Sequence, residues 1–297
     1  MKNIPCIKFL ILLIFSNISV FGQNNNIKIS DNLFIERRNN IHGVVDSLNN
    51  IIIPFEYNYI SFKNSVFIVE KGENSGILNF QNKEIVPINF KYIIPKKNNL
   101  FIICTKSPKC GLIDNKGKII LPTIFNDINS NLYEEYYLVE NEKGLFGVYD
   151  IKGNNIYPEE YIFYKEDNYK VFAQKDNKAY ILDLENLSKT VILDENISFI
   201  KTANNFTIGE KRYQIFKQNG KFGVINSSNT VVIPPSYDKL TPSQNWKYYI
   251  IEQNNKKGLI NIENKIIKDM KYDEIQLIKE YIILKAAGKK DEFYSYE

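Results

Sequence analysis

What most constrains this chain is a pattern that returns about every 35 residues. A small residue or its equivalent stands at Gly43, Gly76, Gly111, Gly147, Tyr180, Gly223 and Gly258, at intervals of 33, 35, 36, 33, 43 and 35 residues. Two apolar residues follow each anchor, as in Val44-Val45, Leu112-Ile113 and Val224-Ile225. Three residues after the anchor comes Asp46, Asn79, Asp114, Asp150, Asp183, Asn226 or Asn261. Six residues after it comes Asn49, Asn82, Gly117, Gly153, Asn186, Asn229 or Asn264. A period of this size is the signature of a solenoid, propeller or array, in which one supersecondary unit recurs.

The spacing has a physical reason. An Asx side chain accepts backbone N–H groups two residues on and starts a turn. Gly and Asn tolerate φ > 0 and close it. The pattern therefore predicts the same hairpin loop in every copy. The second strand is short and β-branched, over residues 51–53, 119–121 and 231–233 for example. It runs into Pro54, Pro87, Pro122, Pro158 or Pro234, where the lost N–H is expected to stop pairing. An aromatic follows at Tyr57, Phe90, Phe125, Tyr161, Tyr237 or Tyr272, then Ile60, Ile93, Ile128, Tyr164, Leu240 or Ile275. These read as core positions between repeats. A third strand is expected over residues 66–69, 100–103, 136–139, 169–172, 248–251 and 281–284. The fifth copy is the most disturbed, with about three extra residues, a third strand expected at 206–208 and a spacer at 209–220.

The lines Gly220-Lys-Phe-Gly-Val-Ile-Asn226, Val231-Val-Ile-Pro-Pro-Ser-Tyr-Asp238 and Lys256-Lys-Gly-Leu-Ile-Asn261 resemble WG repeats, also called KWG repeats. The resemblance spans residues 39–284 and departs at the tryptophan, whose place is taken by His42, Ser75, Cys110, Phe146, Ala179, Phe222 and Lys257. The family implies a repeat common among exported proteins, with no shared activity or ligand. The expected architecture is all-β: tandem three-stranded units of about 35 residues forming an open twisted β-array. A closed seven-bladed β-propeller is the alternative, because seven copies fit it.

Residues 1–22 read as a signal peptide: Lys2 and Lys8, then an apolar run from Phe9 to Phe15, then Gly22. The segment is shorter than the ~20 apolar residues a spanning helix needs. Cleavage would leave residues 23–297 as one repeat domain, exported to the periplasm or outside the cell, with no membrane span. Losing two lysines takes the formal charge from +4 to +2. Lysines and arginines are scattered, which argues against nucleic acid as a partner.

His42 is the only histidine, so hydrolytic triads and zinc clusters are poorly supplied. No catalytic, cofactor or metal-binding residue is expected, and one Asx per copy is explained by its turn without calcium. Paired carboxylates such as Glu159-Glu160 and Asp273-Glu274 point to opposite faces of a strand. Aromatic residues are the binding candidates: Tyr136, Tyr137, Trp246, Tyr248 and Tyr249 combine an apolar face with a polar tip. Cys104 and Cys110 flank a predicted turn and are candidates for a disulfide in an oxidising compartment, or else for two small buried residues. The function expected is a non-catalytic module binding a protein or glycan of the cell envelope. A hydrolase with its site near the fifth-copy insertion is the alternative.

Overall fold

A computed structural model describes residues 26–132, 135–194, 196–200, 213–243, 247–278 and 281–295. The expected signal peptide, Trp246 and the strand at 206–208 lie outside these residues. The chain divides into two compact units, Met1–Asn89 and Phe90–Glu297.

The described chain is all-β, built of antiparallel sheets that follow one another along the sequence. In the first unit, β1 (Ile27–Ser30), β2 (Leu33–Arg38), β3 (Ile41–Asp46) and β4 (Ile51–Tyr57) form one sheet. The next holds β5 (Tyr59–Lys63), β6 (Val66–Lys71), β7 (Asn74–Leu78) and β8 (Glu84–Phe90). The second unit begins with β9 (Tyr92–Pro95), β10 (Leu100–Cys104), β11 (Cys110–Asp114) and β12 (Ile119–Phe125). A seven-stranded sheet follows: β13 (Asp127–Leu132), β14 (Tyr136–Glu140), β15 (Phe146–Asp150), β16 (Asn155–Asp167), β17 (Lys170–Lys175), β18 (Lys178–Asp183) and β19 (Val191–Ile192). Then come β20 (Ile197–Phe199), β21 (Tyr213–Gln218), β22 (Lys221–Asn226) and β23 (Val231–Tyr237). The last two sheets are β24 (Lys239–Pro242), β25 (Tyr248–Gln253), β26 (Lys256–Asn261) and β27 (Ile266–Tyr272), then β28 (Glu274–Leu277), β29 (Tyr281–Lys285) and β30 (Glu292–Ser295).

The regular unit thus has four strands, where three were expected. The residues around Ile60, Ile93, Ile128, Leu240 and Ile275, read as isolated core positions, form short strands of their own, and these side chains are buried. The third-strand place of the fifth copy is filled by β21, from residues assigned to the spacer, and it pairs with β22 from Tyr213↔Asn226 to Gln218↔Lys221.

The predicted Asx turn forms in six copies. Asp46 Oδ1 accepts from the N–H groups of Leu48 and Asn50, both at 2.8 Å. Asn79, Asp114, Asp150, Asn226 and Asn261 repeat the arrangement. The closing residues Asn49, Asn82, Gly117, Gly153, Asn229 and Asn264 all have φ between 56° and 86°. In the fifth copy Asn186 instead lies at φ −141° and precedes a short 3-10 helix, Leu187–Lys189.

Proline does not end the second strand. In the first copy the ladder runs Val45↔Ile51, Val44↔Ile53 and then His42↔Tyr57, so Pro54 sits in a bulge and pairing resumes beyond it. Registers at β11/β12, β15/β16 and β22/β23 shift in the same way around Pro122, Pro158 and Pro234. A bulge leaves an N–H outside the ladder, which is where proline can sit without losing a bond.

Within each unit consecutive sheets pack face to face. Ile35, Val44 and Ile53 of one sheet meet Ile60, Phe67 and Val69 of the next in the first unit. In the second unit Tyr137 and Val139 face the β9–β12 sheet, while Leu138 between them faces Val171 and Leu182. Central strands are covered on both sides, which is why they read as unbroken apolar runs and not as alternating ones.

Candidate functional site

The fifth copy departs from its siblings at each step, beginning at the anchor. Six anchor glycines face the bulge opposite: a Cβ on Gly111 would lie 2.8 Å from the Leu121 carbonyl oxygen, and one on Gly258 2.8 Å from that of Lys268. In the fifth copy the pairing is unbulged, Tyr180↔Ile192 and Ile181↔Val191, and a tyrosine fits. The outer strand is only two residues long, and the connection to it runs over residues 184–190, against 47–50 in the first copy.

This longer connection moves Asp183 out of the standard turn. Its Oδ1 accepts from the N–H groups of Glu185 (3.1 Å) and Asn186 (2.9 Å). Its Oδ2 pairs with Lys170 Nζ at 2.7 Å, directly across the β17–β18 ladder. Burial pushes the Asp183 carboxyl up, but the Lys170 hydrogen bond and the two backbone donors outweigh it, and the group sits below the ordinary aspartate value. Thr190 Oγ1 accepts from the Asp183 N–H at 3.2 Å and shares a hydrogen bond with the Tyr157 hydroxyl. From the following sheet, Ser227 Oγ donates to buried Asp167 Oδ2 at 2.5 Å.

Between these elements lies a cleft of about 490 Å³. Lys170, Asp183, Lys189 and Thr190 line one side, residues 227–229 the other, and Ile181 and Val191 supply apolar surface. Two ammonium groups against one carboxylate leave the lining with a net positive charge. Chemically it is a donor-rich recess with one carboxylate already neutralised. Sequence reading placed interest in this insertion but read Asp183 and Asn229 only as turn residues and singled out neither lysine. The signal was present in the 43-residue interval and in Tyr180 at an anchor otherwise occupied by glycine.

The aromatic candidates lie elsewhere and largely inside. Tyr137 is 2% exposed and Tyr249 0%, and Tyr248 is also buried. Burial lifts the Tyr137 hydroxyl to about 12. Tyr136 is half-buried and donates to the Leu184 carbonyl oxygen at 2.9 Å. The cause is simple: β14 and β25 are central strands, so neighbouring tyrosines point to opposite faces and each is covered by strands packed on that face. The tyrosines therefore offer no common open surface. Cys104 and Cys110 are cross-strand partners with Cα atoms 4.1 Å apart, joined as a disulfide and buried in the β9–β14 core. No helix among the described residues is long and apolar enough to cross a membrane.

Comparison with solved structures finds similarity to a eukaryotic initiation factor, at 11% identity over 92% of this chain and 88% of that one, with a TM-score of 0.37. BamB from Moraxella catarrhalis is similar at 10% identity over 92% and 94%, with a TM-score of 0.35. The C-terminal WD40 domain of Sif2 is similar at 10% identity over 92% and 97%, with a TM-score of 0.31. No curated protein matches the chain. The family model described as WG containing repeat matches residues 43–74, 111–144 and 222–256. Each match begins at an anchor glycine or next to it and crosses from one sheet into the next. The chain thus carries WG-type repeats at these three places, with His42, Cys110 and Phe222 at the tryptophan position.

Proposed function

We propose that this is an exported, non-catalytic repeat protein that binds a protein or glycan of the cell envelope through the cleft of its fifth copy. The observation that carries this reading is the contrast between copies. In six of them the Asx side chain closes a tight hairpin turn, and in the fifth the loop is longer, the buried carboxylate pairs with Lys170, and a cleft opens beside it. Positions needed for folding repeat, so the irregular copy is where a ligand contact has room to differ. Export is supported by the basic, apolar and small-residue succession of residues 1–22. A hydrolase would need a second carboxylate facing Asp183 across a few ångströms. The cleft instead sets lysines, hydroxyls and an amide around it.

The purified protein, immobilised and exposed to an extract of its own cell envelope, is expected to retain a protein or glycan. Retention of neither would sink the reading. N-terminal sequencing of protein recovered from the envelope fraction is expected to begin at Gln23. An intact Met1 in that fraction would remove the export argument.

A further inference from the structure

We infer that the fifth-copy cleft is a subsite for an acidic sugar, with the sugar's carboxylate held by Lys189. The inference rests on the binding-module reading above and names its ligand class. Lys170 has its charge matched by Asp183 at 2.7 Å. Lys189, on the 3-10 helix, has no ion pair among the described residues and is exposed at the cleft mouth. An anionic oxygen placed there gains a charge that no described side chain pairs with.

The rest of the recess argues for a sugar over a bare anion. Its volume of about 490 Å³ lies within the ~300–1,000 Å³ usual for small-molecule clefts. A small inorganic ion would leave most of that space to water. Ser228 and Asn229, exposed on the turn opposite, can exchange hydrogen bonds with ring hydroxyls. Ile181 and Val191 offer the apolar surface that suits the C–H face of a ring.

The test is calorimetric titration of the purified protein with a glucuronate-containing oligosaccharide and with its neutral glucose counterpart. The acidic sugar is expected to bind about tenfold tighter or better, with the preference falling as salt is raised. Lys189→Glu, an exposed change that should leave the melting temperature in place, is expected to abolish the preference. Lys289→Glu, at an exposed site in the turn between β29 and β30, should not affect it. Equal affinity for the two sugars, or an acidic preference that survives Lys189→Glu, overturns the subsite. If the subsite fails while the envelope extract still yields a partner, only the ligand class falls. If the extract yields nothing, the reading beneath it falls too.

Discussion

At the anchor position the strand opposite decides the residue. Gly223 is held so close to the bulge that a Cβ would stand 2.7 Å from the Ile233 carbonyl oxygen and 2.9 Å from the Phe216 ring. Neither neighbour is a flexible chain end. Gly223→Ala is therefore expected to cost about 1–3 kcal/mol, the usual price of overpacking, read as a lower urea midpoint. Gly220→Asn, at φ +83° with open space around the Cβ position, should change that midpoint far less. The need for a small anchor was legible in the sequence, but its reason was not, because the bulge lies on a strand ten residues away. Asp183 gives the second residue-scale expectation. Its folded carboxyl lies below the ordinary aspartate value, so it contributes stability above about pH 4 and loses it as pH falls through the folded value. Asp183→Asn should be less stable than the parent at neutral pH. The gap should close on acidification, and urea midpoints between pH 7 and 3 would show whether it does. The residue itself looks like its six Asx siblings, and only the long interval after it and Tyr180 at its anchor marked it out, since its role changes with the loop that follows.

Elements are ordered by turns, and most of these were legible. Beyond the Asx loops, two-residue turns with φ > 0 at both positions occur at Asn39-Asn40, Asn64-Ser65, Asn98-Asn99, Asp176-Asn177 and Asn254-Asn255. Their twist matches that of the strands they join. Asn64-Ser65 and Asn98-Asn99 adjoin the strand that the three-strand reading lacked and were a readable signal for it. The step between sheets is set by the residue after the aromatic. Asn58, Asp238 and Asp273 accept from the N–H groups of Gly72, Asn254 and Ala287, which ties the chain to the next hairpin. Ile162 stands at that step in the fourth copy, and there β16 runs on unbroken from β15 to β17. The β10–β11 hairpin has its own tie in the Cys104–Cys110 disulfide. Because the loop it closes is short, replacing both cysteines by alanine should cost about 2 kcal/mol and lower the melting temperature. Equal melting of oxidised and reduced protein would show that the bond constrains little.

At the scale of the molecule, the repeat in the sequence and the sheet in space are out of phase. A sequence unit opens with the third strand of one sheet and closes with the second strand of the next, as residues 43–74 and 111–144 do. Within each unit the chain thereby stitches neighbouring sheets together, and each interface between them is filled by one apolar cluster. The cleft arises where this stitching changes, with an outer strand cut to two residues and a helical turn in the connection. The sequence by itself determined the all-β class, the period, the Asx turns and the disturbed copy. Those features rest on contacts between residues a few positions apart, and turn chemistry is local. Only the tertiary structure decided that the paired tyrosines are core, that proline sits within a strand, and that Lys170, Asp183 and Lys189 share one recess. A side chain on a strand is buried or open according to the sheet that comes to lie against it, and pairing resumes or stops according to the register of a partner. Neither is written in the spacing of the strand's own residues.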